Sequence, residues 1–465
     1  MVNENSVLHE RSTLVGEDPA VAREPVSTRW RGWAGRVLPE APPSPWPRRR
    51  LAVGYVVAFS VATAFQLLIP AGRSHWTHLW AEDGGVFLFD GVHYDFLTAI
   101  TNPYGGYLHT LPRLIAEPVV TLLPPELVAP VFAVVSAAVR ALIALLVHAA
   151  SRAYLRSSPV RFAHAALVVV LPVGLSEPLD NLTNLHWFML YGVFWALLWR
   201  SAPRVPVAVL VVLAALTSPM VFLLVPIALV RLLLPGARSV AAAFLAASAL
   251  QAVAMSRTER LAYSDDHYEP MQVVLAALLR VPLAGFTGSE QVQHYYPAHG
   301  HLPLLVALLL AGLPILAALR WGTLAVRLVV LVSLGLGAVV ITASLATNWI
   351  NVLAVSQPGV VLVAQRYSVI PCLFMFSAVA LGLDLVPRRP WGRAVRRGWR
   401  VVIALVLVVG VVQHTRTGAG VLTGVTWEQA IADTRAQCAA GQVFGRLVYD
   451  PAGWTADVPC DYLAR

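Results

Sequence analysis

Lysine is missing from this chain of 465 residues, and charged residues of every kind make up only 13% of it. Hydrophobic residues make up 57%, and the mean hydropathy is +0.67. This composition excludes an ordinary soluble domain and is typical of a chain that lies mostly in a bilayer. The net charge of +9 comes from arginines in short segments between apolar runs. Such segments are membrane topology signals and not a groove that follows phosphates, so we expect an integral membrane protein with no nucleic acid partner.

Cysteine is scarce as well: Cys372 lies within an apolar run, whereas Cys438 and Cys460 both fall in the C-terminal tail. A disulfide between the last two is expected if the tail faces an oxidising exterior. It would close a loop of about 21 intervening residues and stabilise the tail by ~3 kcal/mol on the chain-entropy estimate. The tail also carries Trp427 and Tyr449, so we expect a small docking or binding module that is too small for an independent catalytic domain.

The N-terminal residues 1–47 are polar, rich in proline, arginine and glutamate, and lack the apolar stretch of a cleaved signal peptide. They predict a disordered cytoplasmic tail. Arg48, Arg49 and Arg50 then precede the apolar run 51–70. The positive-inside rule makes this run a signal anchor, and the chain after Pro70 begins outside.

Apolar runs predict about eleven membrane spans, several of them shorter than the ~20 residues of a full crossing. After the first run, they lie at roughly 127–149, 162–176, 186–199, 205–217, 219–234, 239–255, 301–319, 324–346, 359–384 and 400–413. This order puts the arginine-rich connections on the cytoplasmic side. Thr217–Pro219 is expected to be a break between two spans, and 271–286 an interfacial or pocket-lining helix; the opposite choice at either place would reverse the later loops.

The predicted organisation is a cytoplasmic tail (1–47), a membrane domain (48–413) and a small extracytoplasmic tail (414–465). The outer loops are long and chemically rich: about 71–126, 177–185, 256–300 and 347–358. The inner connections carry little but arginine, so the active side is expected to be the outer one. No internal repeat is evident, which argues against an inverted-repeat transporter.

The first loop contains an acidic pair, Glu82-Asp83, within the stretch Trp80–Phe87. A carboxylate at the membrane surface can act as a general base toward a hydroxyl, or can hold a divalent metal that neutralises a phosphate leaving group. Adjacent side chains cannot readily point the same way, so one of the two is expected to have another task. In the alternative reading, Glu82 caps a short helix and the aromatic residues form an interfacial belt.

Other groups suited to substrate contact follow the acidic pair. The first loop carries Tyr104, Tyr107, His109 and Arg113, the second Asp180, Asn184, His186 and Trp187, and the span near 359–384 carries Arg366 and Tyr367. Arginine binds phosphate through a rigid fork, amides and carboxylates suit sugar hydroxyls, and a tryptophan ring suits an apolar sugar face. Two alternatives stay open: the second loop is a turn with helix caps, or Arg366 pairs structurally with Glu117 or Glu177.

This arrangement resembles the GT-C superfamily, integral membrane glycosyltransferases that use polyprenyl-phosphate-linked sugars, through the acidic pair Glu82-Asp83 just after the first span. The resemblance implies an all-α polytopic fold with a large first outer loop and a small outer tail. It implies that Asp83, or Glu82, acts as catalytic base or holds a divalent cation such as Mg²⁺ or Mn²⁺. It also implies a lipid-linked sugar donor and a cell-envelope glycan, glycolipid or protein as acceptor.

On this reading Arg113 and Arg366 stabilise the departing lipid phosphate, and Tyr104, Tyr107, His186 and Trp187 line the sugar pocket. The protein would lie in a plasma membrane with its N-terminus in the cytoplasm and its C-terminus outside. Two other classes stay open. A transporter or flippase would explain the short spans around Thr217–Pro219, and a non-catalytic scaffold for envelope assembly would tolerate the loss of Asp83.

Overall fold

The computed structural model describes residues 26–43, 46–258, 270–347, 354–356, 359–385, 390–418 and 420–465. Helices dominate these residues. In chain order they are α1 (Val26–Val37), α2 (Arg48–Leu68), α3 (Pro70–Thr77), α4 (Phe89–His93), α5 (Phe96–Thr101), α6 (Thr110–Leu122), α7 (Val128–Ala150), α8 (Ser158–Val170), α9 (Leu185–Leu198), α10 (Arg204–Ala215), α11 (Val225–Leu232), α12 (Arg238–Ser256), α13 (Pro270–Leu278), α14 (Ala284–Thr287), α15 (Ser289–His299), α16 (Leu302–Trp321), α17 (Leu324–Thr347), α18 (Arg366–Asp384), α19 (Pro390–Arg416), α20 (Trp427–Ala439) and α21 (Cys460–Leu463). The described strands form two antiparallel hairpins, β1 (Ala354–Ser356) with β2 (Gly359–Val361) and β3 (Phe444–Tyr449) with β4 (Trp454–Pro459).

Seven helical segments among the described residues are long and apolar enough to cross a membrane: Arg48–Leu68, Pro125–Ala153, Pro235–Ser256, Pro270–Thr287, Leu302–Trp321, Leu324–Thr347 and Arg366–Asp384. Apolar helices of 10–17 residues also occur: Ser158–Gly174, Leu185–Leu198, Arg204–Ala215 and Pro219–Leu232. The chain is therefore an all-α polytopic membrane protein with little sheet, as its composition predicts.

Long-range hydrogen bonds define the two ends of the helix bundle. At one end, the Thr110 hydroxyl donates to the Leu216 carbonyl at 2.9 Å, which joins the first loop to the end of α10. We call this the loop end. At the other end, the Asp384 carboxylate accepts from the backbone N–H groups of Arg156 and Ser157 at 2.7 and 2.8 Å. We call this the arginine end, because most of the arginine-rich connections lie there.

The N-terminal segment corrects one prediction. The sequence predicts disorder over residues 1–47, but α1 is a helix of 12 residues. Ala34 and, just after the helix, Leu38 are buried in the main core, and the rings of Trp30 and Trp33 meet edge to face. These apolar residues recur at three- and four-residue spacing, which gives α1 one apolar face to bury. The first 25 residues lie outside the described part of the chain.

The segment from α13 to α14 has the length and composition of a span, and its later part packs in the main core, where a Cβ on Gly285 would lie 3.2 Å from the Cys372 sulfur. Val273 of α13 clusters with Leu345 near the end of α17. Gly288, which follows α14, faces His414 near the end of α19: a Cβ on Gly288 would lie 2.8 Å from the ring nitrogen Nδ1. Both of its ends therefore meet the loop end, and the interfacial or pocket-lining helix that the sequence predicts for 271–286 stays a prediction.

The C-terminal module (residues 427–465) comprises α20, the β3–β4 hairpin and α21. Alternate residues of β3 are buried, as expected of a strand with one covered face. Cys438 and Cys460 form a disulfide that joins α20 to the start of α21. The preceding helix α19 extends to Arg416, three residues beyond the predicted end of the last span. The module packs on the first loop, because Trp427, Leu447 and Tyr449 share one core cluster with Leu79 and Phe87.

Candidate functional site

Asp83 joins the first loop to the second. Its Oδ1 accepts hydrogen bonds from the backbone N–H and the hydroxyl of Thr183, at 2.9 and 2.6 Å, and its Oδ2 accepts from the backbone N–H of Leu182 at 2.9 Å. The side chain is 2% exposed. Burial raises the pKa of Asp83 to about 7, although the three hydrogen bonds act in the opposite direction. Asp83 therefore holds the second loop against the first.

Asp83 does not fit the divalent cation that the GT-C resemblance implies. Three of the roughly four acceptor positions of its carboxylate are taken by N–H and O–H donors and the residue is 2% exposed, so a Mg²⁺ or Mn²⁺ ion could reach at most one buried oxygen. Within the described residues, no group of three or more histidine, cysteine or acidic side chains could hold a metal ion.

Glu82, the neighbour of Asp83, is partly exposed. Among the described residues its side chain has no hydrogen bond and no ion pair. The two glycines after the acidic pair explain how this segment packs: a Cβ on Gly84 would lie 2.4 Å from the ring carbon Cζ of Tyr449, and a Cβ on Gly85 would lie 2.9 Å from its hydroxyl oxygen. The C-terminal module thus rests directly on the segment that carries Glu82 and Asp83.

The second loop is ordered by its own side chains. The Glu177 carbonyl accepts from the Asn181 amide at 2.8 Å and from the Asn184 amide at 3.3 Å. Asn181 Oδ1 also accepts from the backbone N–H and the amide of Asn184, at 3.0 and 2.9 Å. These bonds form a turn. A turn was one of the two alternatives that the sequence offered for this loop, the other being sugar contact.

Asp180 lies in the middle of this turn with a backbone φ of 50°, in the left-handed region. It is 3% exposed, and neither carboxylate oxygen has a hydrogen-bond partner among the described residues. Burial raises the pKa of Asp180 to about 7, and the nearby Arg140 guanidinium only partly offsets this effect. Asp180 is therefore a buried acid poised between its neutral and charged forms near neutral pH.

A row of aromatic and imidazole rings connects the first loop to α9 and α18. Successive ring centroids lie 4.3 Å apart from Tyr107 to His109, 6.4 Å from His109 to His186, 4.6 Å from His186 to Trp187, and 5.6 Å from Trp187 to Tyr367. Tyr104 joins the row beside His109 at 5.6 Å.

The two histidines of this row are fixed by backbone carbonyls. His186 Nδ1 donates to the Thr183 carbonyl at 2.7 Å, and His109 Nε2 donates to the Tyr104 carbonyl at 3.2 Å. Burial holds the pKa of His109 well below its usual range, and the nearby His186 and Arg113 add to that effect. His109 is therefore neutral at pH 7 and serves as a hydrogen-bonding ring.

Arg366 and Glu177 form an ion pair between the second loop and the start of α18. The Arg366 guanidinium also lies over the Tyr367 ring, 4.9 Å from its centroid. The Arg366 side chain is 35% exposed, so part of it remains accessible, whereas that of Glu177 is only 9% exposed. Of the two partners that the sequence offered for Arg366, the structure selects Glu177.

Arg113 does not join this group. Its guanidinium forms an ion pair with Asp90, donates to the Ala99 carbonyl at 2.7 Å and lies 5.7 Å from the centroid of the Phe87 ring. It is 2% exposed. The sequence predicts a phosphate contact for Arg113, but in the structure it is a buried cation that holds the first loop together.

A cavity of about 230 Å³ with mixed polar and apolar walls lies at the loop end beside the Arg366–Glu177 pair. It is smaller than the ~300–1,000 Å³ of pockets for drug-sized ligands, and suits a group the size of one sugar ring. Its walls come from distant segments of the chain: Trp80, Ser176, Glu177, Ser289, Glu290, Gln365, His414 and residues 420–422. The hydroxyls of Ser176 and Ser289 are buried without a hydrogen-bond partner among the described residues.

None of the site residues that the sequence predicts lines this cavity, although Arg366 pairs with Glu177 of its wall. Glu290 and His414 were not predicted as site residues, and Glu177 was considered only as a partner of Arg366. Glu290 lies in the first turn of α15, and His414 lies in the last turn of α19. A polar residue at the end of an apolar span is the signal that could have found His414.

Comparison with protein-family models, with curated proteins and with solved structures finds no match for this chain. The fold and the site define its class: a polytopic helical membrane protein with a small cavity of mixed polarity at one end of the bundle.

Proposed function

We propose that this protein is a membrane glycosyltransferase that moves a sugar from a polyprenyl-phosphate donor to a cell-envelope acceptor. The loop end faces the outside of a plasma membrane, and the N-terminus lies in the cytoplasm. Eleven crossings fit this topology: six of the seven long apolar segments, the four shorter ones and α19, with α13 to α14 not counted as a crossing.

The Arg366–Glu177 pair at the cavity wall supports this proposal most directly. A phosphate offers the planar Arg366 fork the same two-oxygen geometry as the Glu177 carboxylate, so a donor phosphate can take the place of Glu177. Binding of the anionic donor would then release a carboxylate beside the sugar. Phosphate binding at Arg366 would therefore free Glu177 to act as a base.

The reaction follows from this exchange. Glu177 accepts the proton of the acceptor hydroxyl while that oxygen attacks the anomeric carbon of the sugar. The bond from this carbon to the phosphate oxygen breaks, the electron pair leaves with the lipid phosphate, and Arg366 stabilises the new negative charge. Attack from the face opposite the phosphate inverts the anomeric configuration.

Asp83 acts as a positioning residue in this proposal. Its carboxylate binds Leu182 and Thr183, and the same turn carries Glu177 at its start. The base is therefore assigned to Glu177 and not to the acidic pair that suggested the reaction. The ring row from Tyr107 to Tyr367 does not line the cavity, but it reaches Tyr367, whose ring lies under the Arg366 guanidinium, and it offers apolar faces for stacking.

The test is sugar transfer from a panel of polyprenyl-phosphate sugars by the purified full chain in detergent. We expect transfer by the wild type and a fall in kcat of about 10²–10⁴-fold in Glu177→Gln, the range that general bases contribute. Arg366→Lys should mainly raise the KM for the donor, because an ammonium cannot form the two-point contact. Glu428→Gln, on the exposed first turn of α20, is the matched control and should leave transfer unchanged.

Three results would contradict the proposal in different ways. Wild-type protein that transfers no sugar from any donor would favour a transporter or a scaffold. Transfer that persists at the wild-type kcat in Glu177→Gln would remove the base assignment but keep the activity. Loss of transfer in Glu428→Gln would show that the assay reports folding and not chemistry.

A further inference from the structure

A second, much larger cavity of about 1560 Å³ lies between α2, α7 and α8 and reaches the arginine end of the bundle. Its polar mouth includes Arg50, near the start of α2, whereas the smaller cavity lies near the end of that helix. Eighteen residues separate Arg50 from Leu68, which corresponds to ~27 Å along a helix that rises ~1.5 Å per residue. The mouth is therefore remote from Glu177 and Arg366 and belongs to a separate site.

The length and lining of this cavity suit a hydrocarbon chain. Along α2 the wall runs from Arg50 to Phe65 and includes the small residues Gly54, Ala58 and Ala62, which leave room beside the helix. That stretch is ~22 Å long at ~1.5 Å per residue. One leaflet of a bilayer core is only ~15 Å deep, so the groove can accept the full depth of a lipid chain.

The mouth of the cavity carries an excess of positive charge. Four arginines line it: Arg50, Arg152, Arg156 and Arg161. In the part of the chain that the structure describes, none of these guanidinium groups lies within ion-pair distance of a carboxylate. Glu40 is the one acid among the lining residues, and it pairs with Arg200 at 3.3 Å. Nearby Asp384 already accepts the backbone N–H groups of Arg156 and Ser157.

The polar side chains inside the mouth of the cavity present hydrogen-bond donors. Arg161 Nε donates to His148 Nε2 at 3.4 Å, which requires a neutral imidazole with its proton on Nδ1. His148 Nδ1 in turn contacts the Tyr55 hydroxyl at 3.3 Å. A ligand with acceptor oxygens can therefore accept hydrogen bonds from guanidinium and hydroxyl groups. No acidic side chain takes part in this group of donors to repel it.

We propose that this cavity binds an anionic phospholipid of the surrounding membrane, with its phosphate among the four arginines and one hydrocarbon chain along α2. Charge complementarity decides the occupant, because a lipid without net charge would leave four clustered cations uncompensated at the membrane surface. The proposal rests on the membrane setting alone and holds whether or not the protein transfers sugars.

Native mass spectrometry of the delipidated full chain in detergent tests the proposal by titration with phosphatidylglycerol, phosphatidylcholine, polyprenyl phosphate and inorganic phosphate. We expect phosphatidylglycerol to bind at least tenfold more tightly than phosphatidylcholine. Arg152→Gln/Arg161→Gln should remove most of that preference. Arg320→Gln is the matched control, since Arg320 is exposed at the end of α16 and lines no part of the cavity. Equal binding of the two phospholipids, or tighter binding of polyprenyl phosphate or inorganic phosphate, would overturn the assignment.

A second variant keeps all charges and fills the groove. The Cβ that a residue other than glycine would place at position 54 has no atom within 4 Å, so Gly54→Phe extends into the cavity without a clash at Cβ. We expect at least a fivefold loss of bound phosphatidylglycerol. Gly335→Phe on α17, where the same space is open but no part of this cavity lies, should bind like the wild type. Undiminished binding in Gly54→Phe would overturn the location of the chain along α2.

Discussion

Glu82 and Asp83 are neighbours in sequence but have different surroundings. Asp83 is enclosed by donors from Leu182 and Thr183, whereas Glu82 is partly exposed and has no side-chain bond among the described residues. The sequence expectation that one of the two has another task agrees with this arrangement. An acidic pair near a functional site can therefore hold the loops of that site in position, and need not take part in the reaction itself.

Asp83→Asn should destabilise the protein more than Glu82→Gln. An asparagine at position 83 keeps one acceptor oxygen but turns an NH₂ group toward the N–H of Leu182 or the donors of Thr183. Two donors that face each other in a buried place cost about 1–3 kcal/mol. Thermal unfolding in detergent should show a clearly lower Tm for Asp83→Asn and an unchanged Tm for Glu82→Gln. An equal loss in both variants would contradict the structural role of Asp83.

Asp180 should make stability depend on pH. Its folded-state pKa of about 7 lies above the ~3.9 of an unfolded aspartate, so the folded state holds the proton more tightly. This contribution to stability is complete below pH ~4, falls as the pH rises toward 7, and is absent above that.

Asp180→Asn should therefore reduce the drop in Tm between pH 5 and pH 8. Asparagine tolerates the left-handed φ of 50° at this position, so the backbone need not change. Asp461→Asn, on the exposed surface of the C-terminal module, is the control and should keep the wild-type pH profile. An identical pH profile in Asp180→Asn would show that Asp180 does not titrate in this range.

At the scale of elements, apolar runs predicted some helices almost to the residue but underestimated the length of α19. The predicted span 186–199 corresponds to α9 and the span 324–346 to α17. The predicted span 400–413, however, is the apolar part of the longer α19. Arginines are good helix formers, so the helix continues through its basic segment, where hydropathy gives no signal.

Gly84→Ala should loosen the C-terminal module from the first loop. The added methyl would lie 2.4 Å from the Tyr449 ring, so the β3–β4 hairpin must shift to accommodate it. Overpacking of this kind costs about 1–3 kcal/mol. We expect a lower Tm and faster proteolysis of the module, with Gly236→Ala unchanged because nothing lies within 4 Å of its Cβ. In Gly84→Ala/Tyr449→Ala the two losses should be less than additive, because the second change removes the clash; strict additivity would disprove this contact.

At the scale of the whole molecule, the pairing of loops could not be predicted from the sequence. Asp83 meets Thr183 across 100 residues, and Arg366 meets Glu177 across 189. Helix patterns show which segments are apolar, but the partners of a loop depend on how the helices pack. For that reason the list of candidate residues was informative, whereas the roles of Arg113 and Asp83 required the assembled fold.

The proposed topology predicts opposite labelling of the two ends by a membrane-impermeant maleimide. The native cysteines should stay silent, because Cys372 is buried and Cys438 is bonded to Cys460. In intact cells, Glu428→Cys at the loop end should react from outside, whereas Arg320→Cys should react only after the membrane is opened. The reverse pattern would invert the topology and, with it, the side on which the proposed reaction occurs.

The contact of Tyr449 with Gly84 and Gly85 also constrains how the protein is made. A chain emerging from the ribosome completes the acidic segment early, but its packing partner Tyr449 is translated only after all the helices of the bundle. Until the β3–β4 hairpin is made, the first loop lacks the part of its hydrophobic core that the hairpin supplies. Biogenesis thus delays a finished loop end until the β3–β4 hairpin has been made, and a ribosome that stalls before the hairpin leaves behind a helix bundle without it.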